Sequence, residues 1–183
     1  MLTPEQRKWL LTVAREAVAA SVAGRPLAKV STDDPALCSK SGAFVTLKTE
    51  GCLRGCIGQF TADAPLYETV QGMALAAATQ DPRFFHQRIR SGEVAALEIE
   101  ISVLSPLERT RDPLGLELGK HGIYIKQGGR AGCFLPQVAT ETGWSKEEFL
   151  SQCCAGKAGL GPEAWKDSRT EVYLFTAEIL EEE

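Results

Sequence analysis

The residues best equipped for chemistry are crowded into one short run, Gly51-Cys52-Leu53-Arg54-Gly55-Cys56-Ile57-Gly58-Gln59-Phe60. It brings two thiols, a guanidinium and three glycines together. A thiolate, not a thiol, is the nucleophile, and a nearby cation favours the thiolate. Cys56 beside Arg54 is therefore the candidate reactive group. The competing reading is that free cysteine is among the most often buried residue types, and no base adjoins it in sequence. Cys52 and Cys56 form CxxxC, but position 59 is Gln59, so the third cysteine of the iron–sulfur motif CxxxCxxC is missing. Glycine inside a strand marks a bulge or a close backbone approach, and Gly55 and Gly58 bracket Cys56.

Other residues with chemical potential are scattered. In Asp81-Pro82-Arg83-Phe84-Phe85 the proline fixes a turn, a phenylalanine can anchor it, and Asp81 and Arg83 point elsewhere. The alternative is a solvated loop with an incidental ion pair. Glu100 is either solvated or the partner of a buried arginine such as Arg54. His121 is a general acid or base, or a surface or turn histidine. The chain has two histidines, His86 and His121, and neither belongs to a two-His motif, so no metal site is read. No phosphate loop, nucleophile elbow or dinucleotide fingerprint is present.

The elements that must position these residues follow from periodicity. Thr3-Pro4-Glu5-Gln6 is a capping box with proline at the first helical position, opening a helix that ends at Gly24 and Pro26. Phe44 to Leu47 alternate, the Thr49-Glu50-Gly51 linker turns, and Cys52 to Phe60 returns as a hairpin strand. Its alternation puts Cys52, Arg54 and Cys56 on one face. Leu53 and Ile57 should then be buried, with Arg54 and Cys56 facing a cleft. A bulge at Gly55 or Gly58 would separate Arg54 from Cys56. A second helix, opened by Asp63 and Pro65 and rich in alanine, lies close on a sheet and stops by Asp81-Pro82.

Val94 to Leu104 reads as a strand with Glu98, Glu100 and Ser102 on its polar face. After the Pro- and Gly-rich loop Arg109 to Gly119, Lys120 to Lys126 and Arg130 to Leu135 form a second hairpin around Gly128-Gly129, ended by Pro136-Gln137. Ser145-Lys146-Glu147-Glu148 caps a short helix on which one of Cys153 and Cys154 packs inward and the other does not. Glu171 to Leu180 is a final strand, and the tail Glu181-Glu182-Glu183 frays. Hairpins alternating with helices give an α+β fold, antiparallel sheet layers with packed helices.

Composition narrows the function. A length of 183 residues fits one domain, or two small lobes, and 44% apolar residues suffice for a core. A formal charge of −4 disfavours nucleic-acid binding. No apolar run approaches a membrane span, and Met1-Leu2-Thr3-Pro4 lacks the order of a signal peptide. A cytoplasmic location is expected, with the six cysteines reduced.

The run Gly42-Ala43-Phe44-Val45-Thr46-Leu47-Lys48 followed by Leu53-Arg54-Gly55-Cys56-Ile57-Gly58 resembles the signature of the AMMECR family, also called AmmeMemoRadiSam system protein A. The likeness continues through Ala76-Ala77-Ala78, Asp81-Pro82-Arg83-Phe84, Glu100-Ile101-Ser102-Val103-Leu104, His121-Gly122, Leu135-Pro136-Gln137-Val138, Lys157-Ala158-Gly159-Leu160 and Trp165. Cys52 is outside the pattern.

The resemblance implies a single AMMECR-type domain over 1–183. It also implies two lobes with a cleft between them; taking the loop Arg109 to Gly119 as the boundary, the larger lobe spans about 1–110 plus 170–183 and the smaller about 111–169. It implies that Arg54, Gly55, Cys56, Asp81, Arg83, Glu100, His121, Gln137 and Lys157 line that cleft. It also implies a genomic association with a Memo-like protein and a radical S-adenosylmethionine enzyme. It names no reaction and no cofactor. Two functions compete. In one, Arg54, Arg83 and Lys157 hold a small anionic ligand, with Cys56 and His121 as candidate catalytic groups. In the other, the chain is an adaptor that docks onto those partners without chemistry.

Overall fold

A computed structural model describes residues 1–182. The described chain forms two compact units: Met1–Leu104 with the segment from Glu178, and Ser105–Ala177. Both are α+β with antiparallel pairing in every register defined below. No described helix is long and apolar enough to cross a membrane.

The first unit opens with helix α1 (Pro4–Val22), whose capping box is formed reciprocally by Thr3 and Gln6. Strands β1 (Ala43–Thr49) and β2 (Cys52–Gln59) follow as a hairpin. Thr49 pairs with Cys52, so the loop is the two residues Glu50 and Gly51, both with positive φ (51° and 72°). That is a type I′ turn, whose twist matches the strands it joins. Helix α2 (Leu66–Thr79) and strand β3 (Glu98–Leu104) complete the local run. The sheet order is β2-β1-β3-β8, where β8 is Ala177–Glu181. Val45 and Leu47 of β1, Ile99 and Ile101 of β3 and Leu180 of β8 are buried with residues of α1 and α2 in one core. Each fully buried Val, Leu or Ile there contributes about 1.5–3 kcal/mol.

The second unit contains β4 (Glu108–Thr110), β5 (Gly122–Gln127), β6 (Arg130–Phe134), α3 (Pro136–Thr142), α4 (Lys146–Gly156) and β7 (Glu171–Phe175). Its sheet order is β4-β7-β5-β6. Ile123, Ile125, Phe134, Phe149, Leu150, Trp165 and Val172 make its core.

Several boundaries differ from the periodicity reading, each for a local reason. The strand expected from Val94 starts at Glu98, because Ser91–Ala96 coils into a 3-10 turn before it. The loop from Arg109 contains the end of β4. Pro136-Gln137 does end β6, but it also starts α3, with proline at the first helical position. The single final strand is two strands, broken at Thr176, whose N–H donates to the Ser105 hydroxyl.

Cys153 and Cys154 are both buried, since the 3-10 turn around Trp165 covers the side of α4 that solvent would otherwise reach. Nor does the tail fray as expected. Glu181 ends β8 and Glu182 pairs with Arg15, while Glu183 lies outside the described residues.

Helix α2 lies hard against β2 at Gly55. A Cβ built there would sit 2.1 Å from the Ala77 carbonyl oxygen of α2. Gly55→Ala should therefore destabilise the protein by about 3 kcal/mol or prevent folding. Gly72→Ala, in the same helix with nothing within 4 Å of its built Cβ, should stabilise it by about 0.5–1 kcal/mol. Urea unfolding midpoints of the two variants check both signs.

Candidate functional site

The register of β1 and β2 decides where Cys56 goes. From the turn, Thr49 pairs with Cys52 and Lys48 with Leu53; the next pair is Leu47 with Gly55. Arg54 is thus the extra residue of a β-bulge, and everything beyond it changes face. With no bulge, Cys56 would oppose Val45 of the core. With it, Cys56 opposes Thr46, Ile57 opposes Val45, and Gly55 opposes Leu47 and faces α2.

Two expectations change accordingly. Leu53 is not buried but 38% exposed, because it lies on the turn side of the bulge. Arg54 does not share a face with Cys56. Its guanidinium, with the side chain 16% exposed, donates to Thr49 Oγ1 at 3.2 Å and to the Glu93 carboxylate at 3.0 Å.

The cation that reaches Cys56 is Arg83. Strand β2 is at the sheet edge, and Thr46–Cys56 is a pair whose backbone groups turn away from each other. The Cys56 N–H donates to Asp81 Oδ2 at 2.9 Å, and Arg83 Nη2 donates to the Cys56 carbonyl at 3.1 Å. Asp81 caps the 3-10 turn Pro82–Phe84 and also accepts from the Arg83 backbone N–H, Nε and Nη2 at 3.1, 3.0 and 2.7 Å. Asp81 is 3% exposed, and these four donors satisfy it. Donation from Arg83, which outweighs burial, holds its carboxyl below the usual carboxylate range. Arg83 remains 56% exposed and stacks on Phe84. Its hydrogen bonds to described residues all run from N–H, Nε and Nη2, none from Nη1.

Beside the clamp, Thr46 Oγ1 donates to Cys56 Sγ at 3.3 Å. Across the sheet, Cys56, Thr46 and Glu100 form one row. Glu100 pairs with Lys48 at 2.8 Å rather than with Arg54. So the fold gathers Cys56, Asp81 and Arg83, sets Glu100 two strands away on the same face, and turns Arg54 elsewhere. Gly55 has a steric duty against α2.

Thr46, Lys48 and Glu93 are the participants that the sequence did not mark. Thr46 and Lys48 alternate with the core residues Val45 and Leu47, and that alternation was the available signal. Glu93 lies just before the strand read from Val94, and nothing there flagged it.

The second unit holds the other three candidates. His121 Nδ1 accepts the Glu117 N–H at 3.0 Å, which leaves the proton of a neutral ring on Nε2. Gln137 lies in the first turn of α3. Lys157 is exposed just past α4, with its ammonium 5.8 Å from the centre of the Phe134 ring. Burial pushes the Cys133 thiol up to about 11 and those of Cys153 and Cys154 upward as well, so these three are poor nucleophiles near neutral pH. All six cysteines are free. No cluster of ligating residues fit for a metal occurs among the described residues.

A profile of the AMMECR1 family matches residues 11–180. A Thermococcus gammatolerans protein is 40% identical over 190 residues, covering 98% of this chain and 91% of the relative. Protein MK0488 of Methanopyrus kandleri is 40% identical over 190 residues, covering 100% and 91%. The crystal structure titled uncharacterized protein PH0010, from Pyrococcus horikoshii, matches with a TM-score of 0.89 at 38% identity over 100% of this chain and 94% of that one.

The clamp makes a pH prediction. The Asp81 pKa is lower folded than unfolded, so its contribution is fully present above the unfolded value, near pH 4, and is lost as pH falls through the folded value. Asp81→Ala should cost about 3 kcal/mol at pH 7, and the gap to wild type should shrink below about pH 4. Urea unfolding from pH 7 to pH 2 measures it.

Proposed function

Because the chain belongs to the AMMECR1 family, and its functional residues must then be sought in its own chemistry, we propose that it binds a small anionic ligand at Cys56, with Arg83 as the charge partner. One observation carries this reading. A buried carboxylate commits every hydrogen bond it makes to fixing one guanidinium and the backbone of one thiol-bearing residue. Locking supporting groups so that a first contact shell is pre-formed is what a binding site requires. An arginine anchored by Nε and Nη2 still offers Nη1 to a carboxylate or phosphate. Thr46 fixes the thiol from the other side. The association with a Memo-like protein and a radical S-adenosylmethionine enzyme that the family resemblance implies would suit a protein that holds a small molecule for a partner.

A second reading, docking onto such partners without a ligand, is favoured by Leu53 and Phe85. Both are large apolar side chains left exposed, Leu53 within the Cys56 run and Phe85 just after the Asp81-Pro82-Arg83 turn.

Paired alkylation separates the two readings. Iodoacetate is anionic and iodoacetamide is neutral. The rate ratio of the two at Cys56 should exceed the ratio at exposed Cys38 several-fold, on the order of a charge-assisted hydrogen bond to the incoming anion. Arg83→Lys should keep part of that excess and Arg83→Gln should abolish it. Peptide mass spectrometry reads each rate. Equal ratios at Cys56 and Cys38 would sink the anion site and leave the docking reading.

A further inference from the structure

The second unit contains a polar concavity that the Cys56 neighbourhood does not involve. It has a volume of about 480 Å³, and Arg109, Arg111, Lys166, Asp167, Ser168 and Thr170 make its polar lining. That volume lies within the range of small-molecule sites. Its charge is unusual in a chain of net −4: Arg109, Arg111 and Lys166 line it, against Asp167 alone.

The lining carboxylate is already committed. Arg169 donates its backbone N–H and Nε to Asp167 Oδ1 and its Nη2 to Oδ2, at 2.9, 3.1 and 2.6 Å. The cations are unequally committed. Lys166 pairs with Glu163 and lies over the Trp165 ring. The Glu171 carboxyl is held low first by the Tyr173 hydroxyl and, more weakly, by the charge of Arg109. Arg111 is exposed and has no partner among the described residues.

Neutral donors complete the lining. Thr170 Oγ1 accepts from Gln127 Nε2 at 3.0 Å, which leaves its own hydrogen to donate. The Ser168 hydroxyl has no partner among the described residues. Thr110, by contrast, is spent on Asp112, donating to its carbonyl and accepting from its N–H.

We propose that this concavity binds a phosphate-class anion, with Arg111 as its principal charge and Ser168 and Thr170 as neutral donors. A fork of guanidinium donors and hydroxyls lining one concavity matches the several acceptor oxygens of a phosphoryl group. A carboxylate would use the fork and leave the hydroxyls idle. The apolar part of the lining, Pro113, Trp165 and Val172, has room for an organic body attached to that group.

Isothermal titration calorimetry on the full chain tests this with inorganic phosphate and phenyl phosphate at fixed ionic strength. Saturable binding is expected. Arg111→Gln should weaken it about tenfold or more, the size of one charge-assisted contact, and Ser168→Ala by less. Lys120→Gln, which removes only an exposed pair with Glu117, should leave it unchanged. Tighter binding of phenyl phosphate would assign the phosphoryl group to an organic ligand; equal binding would assign free phosphate. Absence of saturable binding, or equal affinity in Arg111→Gln, overturns the site. Loss in Arg83→Gln with none in Arg111→Gln would move the anion to Cys56, supporting that reading and overturning this one.

Discussion

The hydrogen bond from the Cys56 backbone to the Asp81 carboxylate is the contact on which the candidate site depends. Strand β2 is outermost in its sheet, and an edge strand presents unpaired N–H and C=O groups that invite another chain. Asp81 and Arg83 together occupy both groups of Cys56. The clamp protects the edge and immobilises the thiol with the same atoms. It is reached only because α2 lies hard against β2. Gly55 permits that approach, and α2 ends at Thr79, two residues before Asp81. Pro82 then starts the turn that returns Arg83 to its own carboxylate. A change at Gly55 therefore propagates through helix position to the thiol.

The same local device occurs twice. Asp81-Pro82-Arg83 and Asp167-Ser168-Arg169 each fold an arginine back onto the aspartate two residues before it, through backbone N–H, Nε and Nη2. The environments separate their roles. Asp81 is buried and also holds Cys56, so its loss would strand a partner. Asp167 is more open, and its arginine neutralises a carboxylate at the rim of a basic concavity. In an acidic protein, anion recognition depends less on the number of cations than on which carboxylates are already spent.

Much of the fold was legible in the sequence because it rests on local rules. The Thr3 and Ser145 capping boxes, the Glu50-Gly51 turn and the alanine-rich α2 each carry their own signal. The site was legible in part. Alternation put Ile57 on the core side, where it is only partly buried, and Leu53 incorrectly, since a bulge adds one residue and its position depends on what packs above it, here the Ala77 carbonyl. Arg54 looked like the thiol's cation because it is two residues away. Arg83 takes that place from a distant turn, and only tertiary packing decides between them. Glu100 was weighed against Arg54, but strand register put Lys48 within its reach. The break at Thr176 was hidden because apolar alternation runs through it unbroken.

Amide hydrogen exchange at Cys56 tests the central claim most directly. The Cys56 N–H has no partner in the neighbouring strand, so its protection comes from Asp81 alone. In Asp81→Ala, exchange at Cys56 should accelerate well beyond that at Gly55 and Ile57, whose strand-facing amides stay paired with β1. Uniform acceleration across β2, or slow exchange at Cys56 with Asp81 removed, would contradict the account.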